Sequence, residues 1–475
     1  MNPLLNFISL TGMICLCFIA WLGSENKRVI PWSVIVWGIG LQMLIGLVVF
    51  VLGSQLVEGL STLLNAILDA SEAGARFLFG GDTSAIVPDP SRSVGPGVAG
   101  RWIARAVGTP YVNIPGDRLG SDNLNFGYIL AFRALPQVIF FAGLVSLLYR
   151  LNIIQPIVSV FAKIFQATMR ISGAESLAGA ANIFVGIESA IAVKPFLAQM
   201  TRSELCAILS SCFGSIASSV LALYAGFLRP TFPTITGHLV SASIMTIPAC
   251  FVMSKLLVPE TQRPETLGGL PTEAKLPPEK QPNPVDSLIG GALEGVKMAV
   301  GIAAALIAIL GMVALINLLF NTFANFSNSE LVILRPIGQI FQVITLQNIL
   351  GVLFLPLTFL TGISLNWQEL WQSSMLIGRR LLETNIPPYQ ALAKLNQAGE
   401  LSNRALLIVS YVLCGFTHFA SYGIFIGGLS ALIPSRSSEV SSLGLKALWA
   451  GTLATLMTGC IAGVFDFGNP AVLGK

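Results

Sequence analysis

The stretch from Ile171 to Phe227 constrains this chain most: ISGAESLAGAANIFVGIESAIAVKPFLAQMTRSELCAILSSCFGSIASSVLALYAGF. It is too apolar for a soluble domain and too interrupted for a plain membrane span. Small residues crowd Ser176 to Asn182, Gly186 breaks the apolar run, and Glu188 follows two residues later. Pro195 interrupts the next apolar segment and Gly214-Ser215 the one after. A carboxylate in a bilayer core costs about 2.5–3.5 kcal/mol on insertion scales, so it rarely faces lipid. Irregular backbone survives at that depth only inside protein or beside a water-filled cavity. These features predict a re-entrant hairpin followed by a discontinuous helix, the build of a secondary-transporter binding site.

The rest of the chain fits a membrane. Of 475 residues, 54% are hydrophobic and 11% charged, against about 25% charged in a soluble domain. The reading is an all-α polytopic membrane protein in contact with a lipid bilayer. A net charge of +4, scattered along the chain, gives no footprint for nucleic acid. The seven cysteines lie in apolar segments without a CxxC pair and read as small core residues. No His/Cys cluster suggests a transition metal.

Apolar spans are expected at 1–22, 31–53, 126–149, 236–257, 288–325 and 443–465. Lys27 and Arg28 follow the first span, which puts the N-terminus outside and the first loop in the cytoplasm. Arg150, Lys163, Arg170 and Arg202 mark the same cytoplasmic side. The expected order is two N-terminal spans with an interfacial helix (1–80), an extramembrane insertion (81–125) and a first membrane half (126–257). A polar linker (258–287), a long scaffold helix (288–335) and a second membrane half (336–475) follow. Gly290, Gly301, Ala305 and Gly311 on the long helix allow close helix contacts. Gly351, Pro356 and Gly362 cut the apolar run 336–365, and 366–398 reads as a second hairpin. Gly415, His418, Gly423, Gly427 and Gly428 break the helix over 404–432. A faint internal repeat at an offset of 201 residues sets Thr201 on Ser402, Leu205 on Leu406, Ile208 on Val409 and Gly214 on Gly415. Two hairpin-plus-broken-helix units of opposite orientation would form an inverted repeat.

Longer motifs carry a family resemblance. SENKRVIPW after the first span, ALPQVIFFAGLVSLLYRL at 134–151, SGAESLAGAANIFVG at 172–186 and KPFLAQMTRSEL at 194–205 resemble signatures of the concentrative nucleoside transporter family. SYVLCGF at 410–416, GGLSALIP at 427–434 and KALWAGTLATLMTGCIAGVF at 446–465 do the same in the second half. The resemblance implies eight transmembrane helices, two opposed re-entrant hairpins and interfacial helices. It also implies a homotrimer in the plasma (inner) membrane, each protomer having a scaffold and a mobile transport domain. A nucleoside would enter with Na+ by an elevator-like motion; no organic cofactor and no enzyme activity are implied.

The resemblance also carries residue roles. The sodium positions match Asn182, Val185, Ser215 and Ile216, where unwound carbonyls and neutral side-chain oxygens suit the ion; alternatively Asn182 caps the hairpin turn. At the first hairpin tip the family reads Gly-Gln-Thr-Glu-Ala-Pro, but this chain reads GIESAI, with Ile187 at the polar pair and Glu188 at the family Glu. At the second tip, TNIPPY puts Asn385 at the ribose-contacting Glu, with Glu383 two residues earlier. GFTHFAS keeps Phe416 and Ser421 of the second broken helix but sets His418 at the ribose-binding Asn, and Val220 matches a pocket-lining position. Arg379 and Arg380 read as residues that snorkel to an interface.

Because the altered positions cluster at the pocket, the runner-up is a symporter for another small polar solute. Two other classes are an intramembrane hydrolase using His418 and Ser421, which lacks any GxSxG motif, and a trimeric sensor that does not transport.

Overall fold

The computed structural model describes residues 3–52, 54–79, 130–269, 283–329 and 331–474. The expected insertion at 81–125 lies outside the described residues, as does the linker between 270 and 282.

The described chain is helical. α1 (Pro3–Leu22) and α2 (Trp32–Leu47) are joined by a short loop, and α3 (Ser54–Phe79) follows. After α4 (Leu130–Arg150) and α5 (Ile154–Met169), α6 (Gly173–Ala181) and a 3-10 helix (Ile187–Phe196) form a first hairpin. α7 (Arg202–Gly214) and α8 (Ser218–Leu228) are halves of a broken helix, and α9 (Ile235–Leu257) ends this half. α10 (Pro284–Ala324) precedes α11 (Arg335–Val343) and α12 (Leu346–Leu360). α13 (Trp367–Glu383) and α14 (Ile386–Gln397) form the second hairpin, α15 (Asn403–Val412) and α16 (Phe419–Leu432) the second broken helix, and α17 (Ser437–Phe465) the last long helix. The order from α5 to α9 thus recurs from α12 to α17.

Among the described residues, α1, α2, α4, α9, α10 and α17 are long and apolar enough to cross a membrane. The broken helices escape that test because each half is only 10 to 14 residues long, shorter than the ~20 a bilayer requires. α10 has 41 residues, about 60 Å at 1.5 Å per residue, so it projects well beyond the hydrocarbon. Asn283 caps its start, accepting from the Asp286 amide at 2.8 Å.

The two halves are inverted. α7 begins where Arg202 meets Glu25 just beyond the end of α1, at 2.9 Å. α15 begins where Arg404 reaches Asn6 near the start of α1, also at 2.9 Å. The broken helices therefore enter from opposite ends of α1. α9 and α17 fill the centre and are almost wholly buried, whereas α10 leaves most of its apolar side chains exposed.

Several expectations are corrected. On α10, a Cβ added at Gly290, Gly301 or Gly311 would meet nothing within 4 Å among the described residues; the close contact with α4 is made at Gly291 and Gly295. A Cβ at Gly291 would lie 2.7 Å from the Ala142 carbonyl oxygen, so the backbones approach there. In 336–365 the bend of 61° falls between α11 and α12, where Ile344 is extended and Thr345 caps the next helix. Gly351 and Pro356 lie inside α12. Likewise Gly423, Gly427 and Gly428 lie inside α16, and the break spans only 413–418. Five cysteines are buried, but Cys15 faces outward.

Candidate functional site at the crossing of two broken helices

The breaks meet at Gly214 and Gly415. A Cβ on Gly415 would sit 2.6 Å from the Gly214 carbonyl oxygen and 2.9 Å from that of Phe213, so only glycine allows this crossing. Helix α7 ends because Ser215 is extended (φ −91°, ψ 171°) and Ala217 keeps the chain extended (φ −63°, ψ 137°) before α8 starts. Ser215 Oγ is buried and has no hydrogen-bond partner. Ile216 and Val220 are buried beside it.

The first hairpin brings its tip to this break. Ser172 caps α6 in a reciprocal capping box with Glu175, and the helix stops at Asn182. The Asn182 amide is buried, and its orientation is set by its neighbours. Turned one way, its nitrogen donates to Val185 O at 3.1 Å and Gly186 O at 2.8 Å, with Ser189 Oγ within 3.2 Å. Turned the other way, its oxygen joins those three oxygens while its nitrogen lies 3.5 Å from Cys212 Sγ. The first orientation satisfies the amide by itself; the second sets four oxygens around a single hydroxyl proton and is favourable only when a hard cation joins them. With the orphaned Ser215 hydroxyl, these groups fit a small monovalent ion. Among the described residues no cluster of His, Cys, Asp and Glu suits a heavier metal. Ile187 is half-buried and abuts Gly428 of α16, where a Cβ would lie 3.0 Å from its Cγ1. The side chain of Glu188 lies outside the described residues.

The second hairpin turns at Thr384, whose φ of 68° and ψ of −178° form a backbone shape usually left to glycine. This turn sends its two neighbours in different directions. Asn385 enters the break of α15, donating from Nδ2 to Leu413 O at 2.8 Å and Gly415 O at 2.6 Å. Its Oδ1 is buried without a partner. Glu383 does not join it. Its carboxylate accepts from Gln347 of α12 at 2.9 Å and pairs with Arg379 at 2.8 Å.

His418 caps α16, its Nδ1 accepting from the Ser421 amide at 3.1 Å, which leaves Nε2 as the protonated ring nitrogen. The Ser421 hydroxyl donates to the His418 carbonyl at 2.7 Å and also meets the Phe416 carbonyl. It is therefore not directed at the imidazole as a hydrolase nucleophile would be. The Phe416 ring stands perpendicular to that of His418, 6.0 Å away.

Arg380 does not snorkel. It is 1% exposed. Its Nη1 donates to the Val412 carbonyl and to Thr455 Oγ1 at 3.2 Å, while Nε and Nη2 have no partner. Sequence reasoning also missed Ser189, Thr417 with its orphaned buried hydroxyl, and the stacked pair Tyr224–Tyr389 at 4.5 Å. The closing Tyr of TNIPPY was the one signal for that pair.

A cleft of about 430 Å³ opens beside the tip of the first hairpin. Val185, Gly186, Ser189 and Ala217 line one wall, and Tyr149 of α4 with Gly291 and Glu294 of α10 the other. Paired hairpins, broken helices and unpartnered polar atoms at their crossing define an α-helical secondary transporter.

The comparisons with known proteins agree. The family models described as Na+ dependent nucleoside transporter N-terminus and C-terminus match residues 11–82 and 238–463, and one described as nucleoside recognition matches 131–231. An uncharacterized transporter of Haemophilus influenzae is 33% identical, over 96% of this chain and 97% of its own length. Nucleoside permease NupC of Helicobacter pylori is 30% identical, over 97% of this chain and 98% of its own. Human solute carrier family 28 member 3 is also 30% identical, and the chain spans 60% of its length. The solved structure of CNTnw in an inward-facing substrate-bound state superimposes with a TM-score of 0.78 at 30% identity, covering 97% of this chain and 98% of that one. A CNTnw variant in an outward-facing state gives 0.80, covering 98% and 99%. The chain belongs to the Na+-dependent nucleoside transporter family, and it is an integral, multi-pass protein of the plasma membrane.

Proposed function

We propose that this protein couples inward movement of a nucleoside to the sodium gradient by an elevator-type motion. The observation that carries the reading is the crossing at Gly214 and Gly415, with unpartnered buried atoms of Ser215, Asn385 and Thr417 around it. Polar atoms left buried without partners cost about 1–3 kcal/mol each unless a ligand or water completes them. Sodium would be held by Asn182 Oδ1, Ser215 Oγ and the carbonyls of Val185 and Ile216, and it would order the hairpin tip against α7. The nucleoside would lie between the tips, against Ile187, Glu188, Val220, Asn385, Phe416, His418 and Ser421. Of the acids that the family resemblance suggested, Glu383 is the weaker candidate, because both its oxygens are engaged elsewhere.

The hairpins and broken helices would move together, with α4 and α10 as the stationary part of each subunit in a homotrimer. Close packing of α4 on α10 through Gly291 and Gly295 supports that division. The CNTnw neighbours, solved in inward-facing, intermediate and outward-facing states, support a motion between such states.

A second reading is favoured by one observation. Ile187 stands where a polar pair would contact a nucleobase and packs on Gly428. The cargo would then be another small polar solute whose apolar edge meets this side chain. Uptake of radiolabelled uridine and adenosine into proteoliposomes, with and without an inward sodium gradient, tests both. Sodium-driven uptake of either compound supports the first reading. Its absence from well-folded protein, with thermal stabilisation by a different solute, supports the second.

A further inference from the structure

The Asn182 amide has two settings, and one neighbour takes part in both. At the tip of the first hairpin the Ser189 amide donates to the Gly186 carbonyl at 3.0 Å. That turn carries the Ser189 hydroxyl back onto Asn182, 3.2 Å from one terminal atom of the amide and 3.0 Å from the other. Both side chains are buried.

In the first setting the Asn182 nitrogen donates to Val185 O and Gly186 O, and its oxygen accepts from the Ser189 hydroxyl at 3.0 Å. The NH2 group then stands among the carbonyls in place of a cation. In the second setting the oxygen joins those carbonyls, and the nitrogen lies 3.0 Å from the same hydroxyl. A hydroxyl has one proton to give and two lone pairs, and it rotates to suit. Ser189 can therefore donate to the amide in the first setting and present its lone pairs in the second. Alanine could do neither. Ser189 and Val185 also line the cleft of about 430 Å³ beside the tip, so an ion leaving this place has an opening next to it.

We propose that Ser189 is a further sodium ligand and that it forms a two-setting latch with Asn182. Without the ion the Asn182 NH2 caps the hairpin tip; with the ion the amide turns, and both side chains give it oxygen. This rests on the sodium-coupled reading and adds a residue to the four positions named there. Neutral oxygens of this kind suit a hard cation, and the orphaned Ser215 Oγ at the end of α7 supplies another. The latch also accounts for the empty carrier. Buried carbonyls that lost their ion would be costly, and the turned amide satisfies them until the next ion arrives.

The test is a titration of the full-length protein with NaCl against choline chloride at constant ionic strength, followed by thermal stability. Stabilisation by a bound ion grows as RT ln(1 + [Na+]/Kd), so the curve returns the sodium affinity. Ser189→Ala should raise the half-saturating sodium concentration at least about tenfold. Ser189→Thr, which keeps the hydroxyl, should recover most of that loss. Asn182→Asp keeps an oxygen ligand but loses the NH2 cap, so it should be less stable than wild type in choline and gain more from saturating sodium. A folded Ser189→Ala with the wild-type sodium midpoint overturns the ligand role. An Asn182→Asp as stable as wild type in choline overturns the latch. Where Ser189→Ala does not fold, Ser189→Cys decides, because a thiol is a poor ligand for a hard cation: a raised midpoint supports the proposal and an unchanged one overturns it. A wild type that responds to sodium no more than to choline removes the coupling reading and this proposal with it. A responsive wild type with an unchanged Ser189→Ala midpoint removes this proposal alone.

Discussion

Ser172 and Glu204, 32 residues apart in sequence, join the starts of the first hairpin and of the first broken helix: the Ser172 hydroxyl donates to Glu204 Oε1 at 2.5 Å. Each residue also belongs to its own capping box. Glu175, the other acid of these boxes, pairs with the buried Lys255 of α9 at 2.8 Å, and Lys255 reaches Glu260 at 3.2 Å. Hairpin, broken helix and α9 are thus bolted together at one end. In the second half, Glu369 of α13 accepts from the Ser402 amide at the start of α15, at 2.6 Å.

Breaking this bolt should be costly. Lys255→Met leaves the Glu175 carboxylate buried and unpaired, and the expected loss is about 3–5 kcal/mol. Lys255→Met combined with Glu175→Gln should recover part of it. Thermal unfolding of the purified single and double variants gives the answer, and a double variant no more stable than the single one would contradict the pairing.

Gly415→Ala and Gly428→Ala should behave differently. The first drives a Cβ to 2.6 Å from the Gly214 carbonyl oxygen, which backbone cannot yield; the expected cost is about 3 kcal/mol or more, with uptake lost. The second meets only the Ile187 side chain, with Cγ1 at 3.0 Å, and its stability should change by less than about 1.5 kcal/mol. Its apparent KM for substrate should shift, because Ile187 sits at the hairpin tip. Measured Tm and KM for the pair distinguish them.

Restoring the family residues should succeed at one position and fail at the other. His418→Asn keeps a good N-cap for the Ser421 amide and should leave stability within about 1 kcal/mol. Asn385→Glu replaces the amide that donates to Leu413 O and Gly415 O. It sets a carboxylate against two carbonyls and should cost at least about 2 kcal/mol. Stability measurements on both variants, together with uridine uptake by His418→Asn, check this.

Glu25, in the loop after α1, meets Arg202 at 2.9 Å and Lys446 at 2.5 Å. The hydrogen bond from Arg202 leads in holding its carboxyl below the ordinary glutamate value; partial burial opposes the shift, and Lys446 adds to it. A carboxyl lowered in the folded state contributes stability at pH values above its unfolded pKa. That contribution is lost as pH falls through the lowered folded value. Glu25→Gln should therefore flatten the acid limb of the stability profile. The group is partly exposed, so the change should stay at or below about 1 kcal/mol. An unchanged acid limb would remove Glu25 from this role.

Much of the fold was legible because it rests on local signals. Gly186 and Gly214-Ser215 interrupt the apolar runs where the first hairpin and the first broken helix turn, and Gly214 and Gly415 at one offset announce the repeat. What was not legible depends on rotation about a helix axis. Gly290 and Gly291 are adjacent, yet only Gly291 faces α4, and composition alone cannot choose between them. Arg380 reads as an interfacial arginine until the carbonyl of Val412, 32 residues away, is placed against it. The direction of Glu383 likewise depends on the turn at Thr384, whose backbone shape threonine seldom adopts.

The contact between Gly214 and Gly415 has a thermodynamic corollary. Were the two breaks to stay backbone to backbone through the proposed elevator motion, the chemistry around the solute would be the same whichever side of the membrane it faces. A carrier working that way would hold its cargo with one intrinsic affinity on both faces. The net direction of flow is then set by the concentrations and voltage outside the protein, and reversing the gradients would run it backwards at a comparable KM.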